Sequence, residues 1–209
     1  VAQIKLTKNE LRDQQHRLNQ LQKYLPTLQL KKAMLQIEVN NAIYEIEGLT
    51  RAYRKEKKEN ETFQSLLTDP QALPLFDGTI VLEVEKRYEN IAGAEIPYFE
   101  DVLFKEPNYA LFDSPLWIDD ALALLRSLVI AKEKINVAKE KKAILEKELR
   151  EVSIRVNLFE KVMIPRTQTN IKKIRVFLGD QQLASVAQAK VAKNKIILRK
   201  RKQEEQEMA

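Results

Sequence analysis

The side chains able to do chemistry are few, and their neighbours argue against it. The chain has one histidine and no cysteine. His16 stands between Gln15 and Arg17 on what reads as a polar helical face, where a solvated imidazole is expected rather than a metal site, which needs several converging ligands. Thiolate chemistry and disulfides are excluded outright. Carboxylates are plentiful but interleaved with lysine, as in Lys132-Glu133-Lys134 and Lys139-Glu140-Lys141. General acid–base catalysis needs burial or a like-charged neighbour to move a pKa, so these runs read as solvated charge. Gly48, Gly78, Gly93 and Gly179 lie too far apart to build a phosphate-cradling loop. The reading is a protein with no catalytic residues, no cofactor and no metal.

Charge distribution says more than the net charge of +6. Between Lys190 and Lys202 stand seven basic residues and no acid: Lys190, Lys193, Lys195, Arg199, Lys200, Arg201 and Lys202. Glu204, Glu205 and Glu207 follow. Without base-stacking aromatics among them, a solvated helical face is favoured over a nucleic-acid interface. The longest apolar run, Ile118 to Ala131, is broken by Asp119, Asp120 and Arg126, so no membrane span is read. No signal-peptide pattern is legible either. The absence of cysteine fits a reducing compartment, and a cytoplasmic protein is expected.

The elements that position these residues are long helices. Charged residues make up 32% of the chain and aromatics 7%, a composition typical of extended helical proteins. From Pro115 to Glu205 the sequence is rich in Leu, Ile, Val, Ala, Lys, Glu and Gln. A helix of that length would span ~135 Å, several times the width of a globular domain. Its apolar residues fall on two heptad positions. Leu128, Ile135, Leu149, Val156 and Met163 hold one; Leu124, Ala131, Ala138, Leu145, Val152 and Phe159 hold the other. The matching seam lies at the opposite end of the chain: Leu11, Leu18, Leu25, Val39, Ile46 and Tyr53, interleaved with Leu21, Leu28, Leu35, Ala42 and Leu49. Two such arms predict a mainly α fold, a long antiparallel two-helix coiled-coil hairpin. A small β-hairpin-containing segment is expected at its closed end.

Three segments follow: an N-terminal coiled-coil helix over 1–67, a compact middle over 68–114, and a C-terminal coiled-coil helix over 115–209. Thr7 and Glu10 have capping-box spacing, with Leu6 and Leu11 as a hydrophobic staple. Pro26 predicts a kink or short break near Tyr24–Pro26, and Asp69-Pro70 ends the helix. In the middle, Thr79 to Val84 and Ala94 to Phe104 read as strands, the second demoted to an edge by Pro97. Phe76, Tyr98, Phe99, Phe104, Tyr109 and Phe112 are available to pack on the helices or on a partner. Ser114 and Pro115 restart the helix as N-cap and first position. Paired in register, the arms leave everything beyond about Leu178 without an N-terminal partner. The regular seam also degrades after Met163, where Asn170, Lys173 and Asp180 take core positions. The result is an overhanging helix with a basic tip.

The run Arg155-Val156-Asn157-Leu158-Phe159-Glu160-Lys161-Val162-Met163-Ile164-Pro165 resembles the C-terminal signature of the D subunits of V/A-type rotary ATPases, the axle of the central stalk. Arg155, Val156, Asn157, Glu160, Val162, Ile164 and Pro165 carry the likeness. Asn170 to Ile174 extends it, as do Lys5 to Arg12 and Lys31 to Leu35 in the first arm. The sequence departs at Leu25-Pro26-Thr27, where many relatives have a glycine-containing stretch. The resemblance implies a non-catalytic rotor subunit that transmits torque between ATP hydrolysis or synthesis and ion transport. It further implies paired termini inserted in an A3B3 catalytic hexamer, a compact central-stalk F subunit on the shaft, and a funnel-like subunit joining the membrane rotor ring. Such a chain is peripheral to the membrane and binds no nucleic acid. The basic tip would then face the hexamer. The rival expectation is a prefoldin-like coiled-coil chaperone or tether, whose multi-hairpin platform residues 68–114 can hardly supply.

Overall fold

The computed structural model describes residues 4–61, 67, 73–106, 115 and 117–207. The element order is α1 (Lys8–Glu59), α2 (Leu73–Gly78), β1 (Val81–Ile91), β2 (Ala94–Phe104), α3 (Ile118–Asn157), a π-helical stretch (Leu158–Met163) and α4 (Ile164–Glu207). Long helices thus flank one small antiparallel hairpin, as the heptads predict. The chain divides into two compact units, one of residues 1–28 with 155–209, the other of residues 29–154.

α1 starts where its cap predicts. The Glu10 backbone N–H donates to Thr7 Oγ1 at 3.2 Å, satisfying a donor that the first turn leaves orphaned. Of the kink or short break expected near Tyr24–Pro26, the break does not occur: α1 stays helical through Pro26. A proline inside a helix removes one N–H and crowds one carbonyl. The carbonyl orphaned by Pro26 is that of Gln22, which is exposed, so water can serve it. The Thr27 hydroxyl also donates to the Tyr24 carbonyl at 2.7 Å. α1 closes at Glu59 rather than near Leu67. At its end the Asn60 N–H, of a poor helix former, donates to the Glu56 carbonyl at 3.1 Å. Asp69 and Pro70 lie outside the described residues, as does Ser114. α3 begins at Ile118, three residues after Pro115, whose carbonyl accepts the Ile118 N–H.

In the unit of residues 29–154, α1 and α3 run antiparallel. The Ser127 hydroxyl donates to Glu56 at 2.6 Å and Lys141 to Glu45 at 3.0 Å, so positions descend on one helix as they rise on the other. Leu35, Val39 and Ala42 are buried on α1, and Ile135, Ala138, Leu145 and Val152 on α3. A smaller cluster joins α2 to the start of α3, with Leu75, Ile118, Ala121 and Leu122 at its centre. β1 pairs with β2 from Val81↔Phe104 to Ile91↔Ala94. β2 has the predicted bounds; β1 starts two residues later than expected and runs on to Ile91. Ala92 and Gly93 turn the chain with φ of 53° and 81°, the left-handed pair that a tight hairpin requires. Pro97 is tolerated because a two-stranded sheet has only edges.

In the other unit, the π-helical stretch answers Pro165. The N–H of Ile164 reaches back five residues, to the Phe159 carbonyl. This wider turn moves the carbonyls away from a ring that would otherwise crowd position i−4. It also inserts one residue into the helical period. The apolar row therefore does not degrade after Met163; it slips by one. Asn170 is half-buried and Lys173 exposed, while Thr167, Ile171 and Ile174 are buried. Thr167 is compatible with burial because its hydroxyl donates to the Met163 carbonyl at 2.7 Å.

Candidate functional site

Two regions present themselves: the docked hairpin, and the far part of α4. The hairpin lies back along the helices of its own unit. Its base is gripped by Arg126 of α3, which donates to the Gly78 and Lys105 carbonyls at 2.9 and 3.2 Å. Three aromatic residues of β2 then each receive a cation from α3. Arg126 stands 5.1 Å from the Phe104 ring, Lys134 5.3 Å from Phe99, and Lys141 4.2 Å from Tyr98. The cations are spaced eight and seven residues apart, so one face of α3 presents all three. From β1, Lys86 pairs with Glu140 at 2.6 Å. Ala94, Ile96 and Val102 supply the apolar underside.

Lys139-Glu140-Lys141 is thus not simply solvated charge. Lys141 is 6% exposed. Burial by itself lowers its ammonium pKa, but the hydrogen bond and charge of Glu45, with Tyr98 adding to them, outweigh burial and carry it above the ordinary lysine value. Lys86 is also raised, chiefly by its hydrogen bond to Glu140. A lysine used as base or nucleophile needs the opposite shift. Both are cationic clamps. The readable signal was Arg126, Lys134 and Lys141 on one helical face beside an aromatic strand. Phe76 stays 52% exposed, and Tyr109 and Phe112 lie outside the described residues.

Of the seam positions, Leu21, Leu35, Val39, Ile135, Leu145, Val152 and Val156 are buried. Leu11, Leu18, Leu28, Ile46, Leu128 and Leu149 are half-buried. Along the signature run only Val156 is buried; Ile164 is half-buried, and Arg155, Asn157, Glu160, Val162 and Pro165 are exposed. The run coincides with the π-helical stretch and the proline behind it. The buried residues that heptad counting missed, Ile171 and Ile174, were legible as a row restarting one residue late.

Beyond Gly179 the environment changes completely. Every residue from Asp180 to Arg201 is exposed. Lys190, Lys193, Lys195, Arg199, Lys200 and Arg201 are among them; the side chain of Lys202 lies outside the described set. Apolar residues share this exposure: Leu183 at 72%, Val186 at 67% and Leu198 at 57%. Among the described residues, no helix is long and apolar enough to cross a membrane. No group of three or more His, Asp or Glu among them is placed to hold a metal ion.

One unit carries a hairpin clamped onto its paired helices, and the other ends in a bare, exposed helical stretch. Likeness to known proteins supplies the class. The family model for the ATP synthase D subunit matches residues 10–194. The V-type ATP synthase D subunit of Chlamydia caviae is 47% identical over 204 residues, covering 97% of this chain and 98% of its own. That of Chlamydia felis is 46% identical over the same length and shares. That of Chlamydia trachomatis serovar L2 is 43% identical over 196 residues, covering 93% and 97%. The chain belongs to the family of ATP synthase D subunits.

Proposed function

We propose that this chain is the non-catalytic central-stalk rotor subunit of a V/A-type ATPase, carrying torque between ATP turnover and ion transport. The observation that carries the reading is the family match over residues 10–194, which takes in α1, the hairpin, α3 and most of α4. The physical arrangement supports it. Two helices packed along a common apolar seam resist shear and twist better than one. A clamped hairpin adds rigidity without adding chemistry.

The finer assignment follows the same logic. The exposed extension from Asp180 to Arg201 enters an A3B3 hexamer, where its lysines and arginines meet acidic or polar loops in turn. A compact F subunit sits on the stalk, and a funnel-like subunit links it to the membrane rotor ring. The chain is then peripheral to the membrane as part of a membrane-bound complex. Replacing Lys190, Lys193 and Arg199 with Gln weakens coupling in a salt-dependent way, with the deficit largest at low salt and narrowing as salt screens the native contacts.

The test is ATP hydrolysis by the same organism's A3B3 hexamer with and without this chain and the F subunit, alongside gel filtration. Co-elution at one copy per hexamer with altered turnover is expected. A folded chain that neither co-elutes nor alters turnover, and instead holds unfolded clients, overturns the reading.

A further inference from the structure

Near its end α4 carries a run that its helical form does not explain. Ile196, Ile197 and Leu198 follow one another and are all exposed, at 55%, 41% and 57%. Among the described residues it is the one run of three consecutive large apolar side chains that are all exposed. Helical neighbours point about 100° apart, so the three spread over about 200° of the circumference. They make no stripe, and a helix or flat surface packing on one side reaches two of them at most. Two of the three are β-branched, which disfavours helix and favours extended backbone. Cations flank the run on both sides: Lys193 and Lys195 before it, Arg199, Lys200 and Arg201 after it. All five are exposed, and no acid stands between Lys190 and Lys202. Leu183 and Val186, exposed on the same helix, stand singly among Gln, Ala and Ser.

We propose that residues 193–201 are a recognition site for a peptide-binding chaperone, taken up in extended form before the helical extension is covered in an assembly. Extended, the three apolar side chains occupy about 10 Å of backbone and fit a narrow apolar channel closed around the chain. The flanking cations call for an acidic rim at both mouths of that channel. Opening the helix here costs little, because no residue from Asp180 to Arg201 is buried and the run lies near the helix end. A lipid surface takes an amphipathic helix with its apolar residues on one face, which this spread does not supply. A single-stranded nucleic acid takes aromatic platforms, and none stands between Lys190 and Lys202. The timing rests on the stalk reading, in which the extension becomes enclosed; the binding does not.

The probe is the same organism's ATP-dependent heat-shock chaperone, of the kind that binds short extended segments. It is titrated into the full chain and followed by the anisotropy of a dye on Glu95→Cys. Three variants accompany the otherwise native chain: Ile197→Glu in the run, Lys195→Gln with Arg199→Gln beside it, and Val186→Glu as a control elsewhere on α4. Circular dichroism checks that each is folded. Binding that holds in Val186→Glu but weakens about 10-fold or more in Ile197→Glu and about 3-fold or more in the Gln pair supports the site. Undiminished binding by the Gln pair overturns the acidic rim. Undiminished binding by Ile197→Glu, an equal loss in Val186→Glu, or no binding by the native chain overturns the site and leaves the stalk reading intact. The cations then serve only as guards against aggregation of an aliphatic run. Excess A3B3 hexamer is expected to release the chaperone. A complex that the hexamer does not displace overturns the timing alone, while the gel filtration above decides the stalk reading.

Discussion

Residues 138–152 of α3 and residues 184–198 of α4 are both fully helical and rich in alanine, lysine and aliphatic side chains, yet their fates differ. In the first, Ala138, Lys141, Leu145 and Val152 are buried, and even a lysine finds a carboxylate and an aromatic ring. In the second, every residue is exposed, Val186, Val191 and Leu198 included. Helix propensity does not separate them; the presence of a packed neighbour does. A long helix with no tertiary contact draws no stability from burial, so the far part of α4 contributes little to folding and is free to serve contacts with another protein.

Breaking the packed half gives the largest effects. Leu145 is 0% exposed, and Leu145→Ala is expected to cost about 3 kcal/mol, read as a lowered urea midpoint. Lys141→Met costs less, about 1–2 kcal/mol, because the abandoned Glu45, whose side chain is 43% exposed, can hydrate. Its pH dependence sharpens the comparison. A lysine whose pKa rises on folding contributes fully below its unfolded value and loses that contribution as pH climbs through the folded one. The gap between the native chain and Lys141→Met is therefore constant around neutrality and closes only above about pH 10.4, measured by denaturation at stepped pH.

The hairpin turn comes next. Gly93 has φ of 81°, and a Cβ there would lie 3.3 Å from the flexible end of Lys31. Backbone strain then decides, and Gly93→Ala is expected to cost about 1 kcal/mol, with faster amide exchange in β1 and β2. Ala92, at φ 53°, predicts the reverse: Ala92→Gly slows that exchange. The smallest effect lies in the bare helix. Leu183 is 72% exposed, and Leu183→Ala changes the unfolding free energy of the isolated chain by less than about 0.5 kcal/mol. A drop as large as that of Leu145→Ala would erase the contrast between the two regions.

How much of this was legible follows from the physics of each element. The paired helices could be read because burial along a helix imposes a period, and Leu35, Val39, Leu145 and Val152 keep it. The exposed extension could be read from the difference in arm lengths. β2 was placed to the residue because its apolar alternation and Pro97 are local signals. The one-residue slip at Leu158–Met163 escaped because a π-turn is set by the clash at Pro165, which a fixed heptad count ignores. Lys141 escaped because its partners, Glu45 and Tyr98, are distant in sequence and a K-E-K run looks the same whether solvated or docked.

The central claim is that this chain turns. With no native cysteine, one engineered cysteine labels it uniquely. Glu95 is exposed on β2, and Glu95→Cys carrying a bead, in a surface-fixed A3B3 complex with the F subunit, makes rotation visible. The account predicts stepwise rotation in one direction that starts with ATP and stops without it. A bead that stays fixed while the same complexes hydrolyse ATP would contradict it.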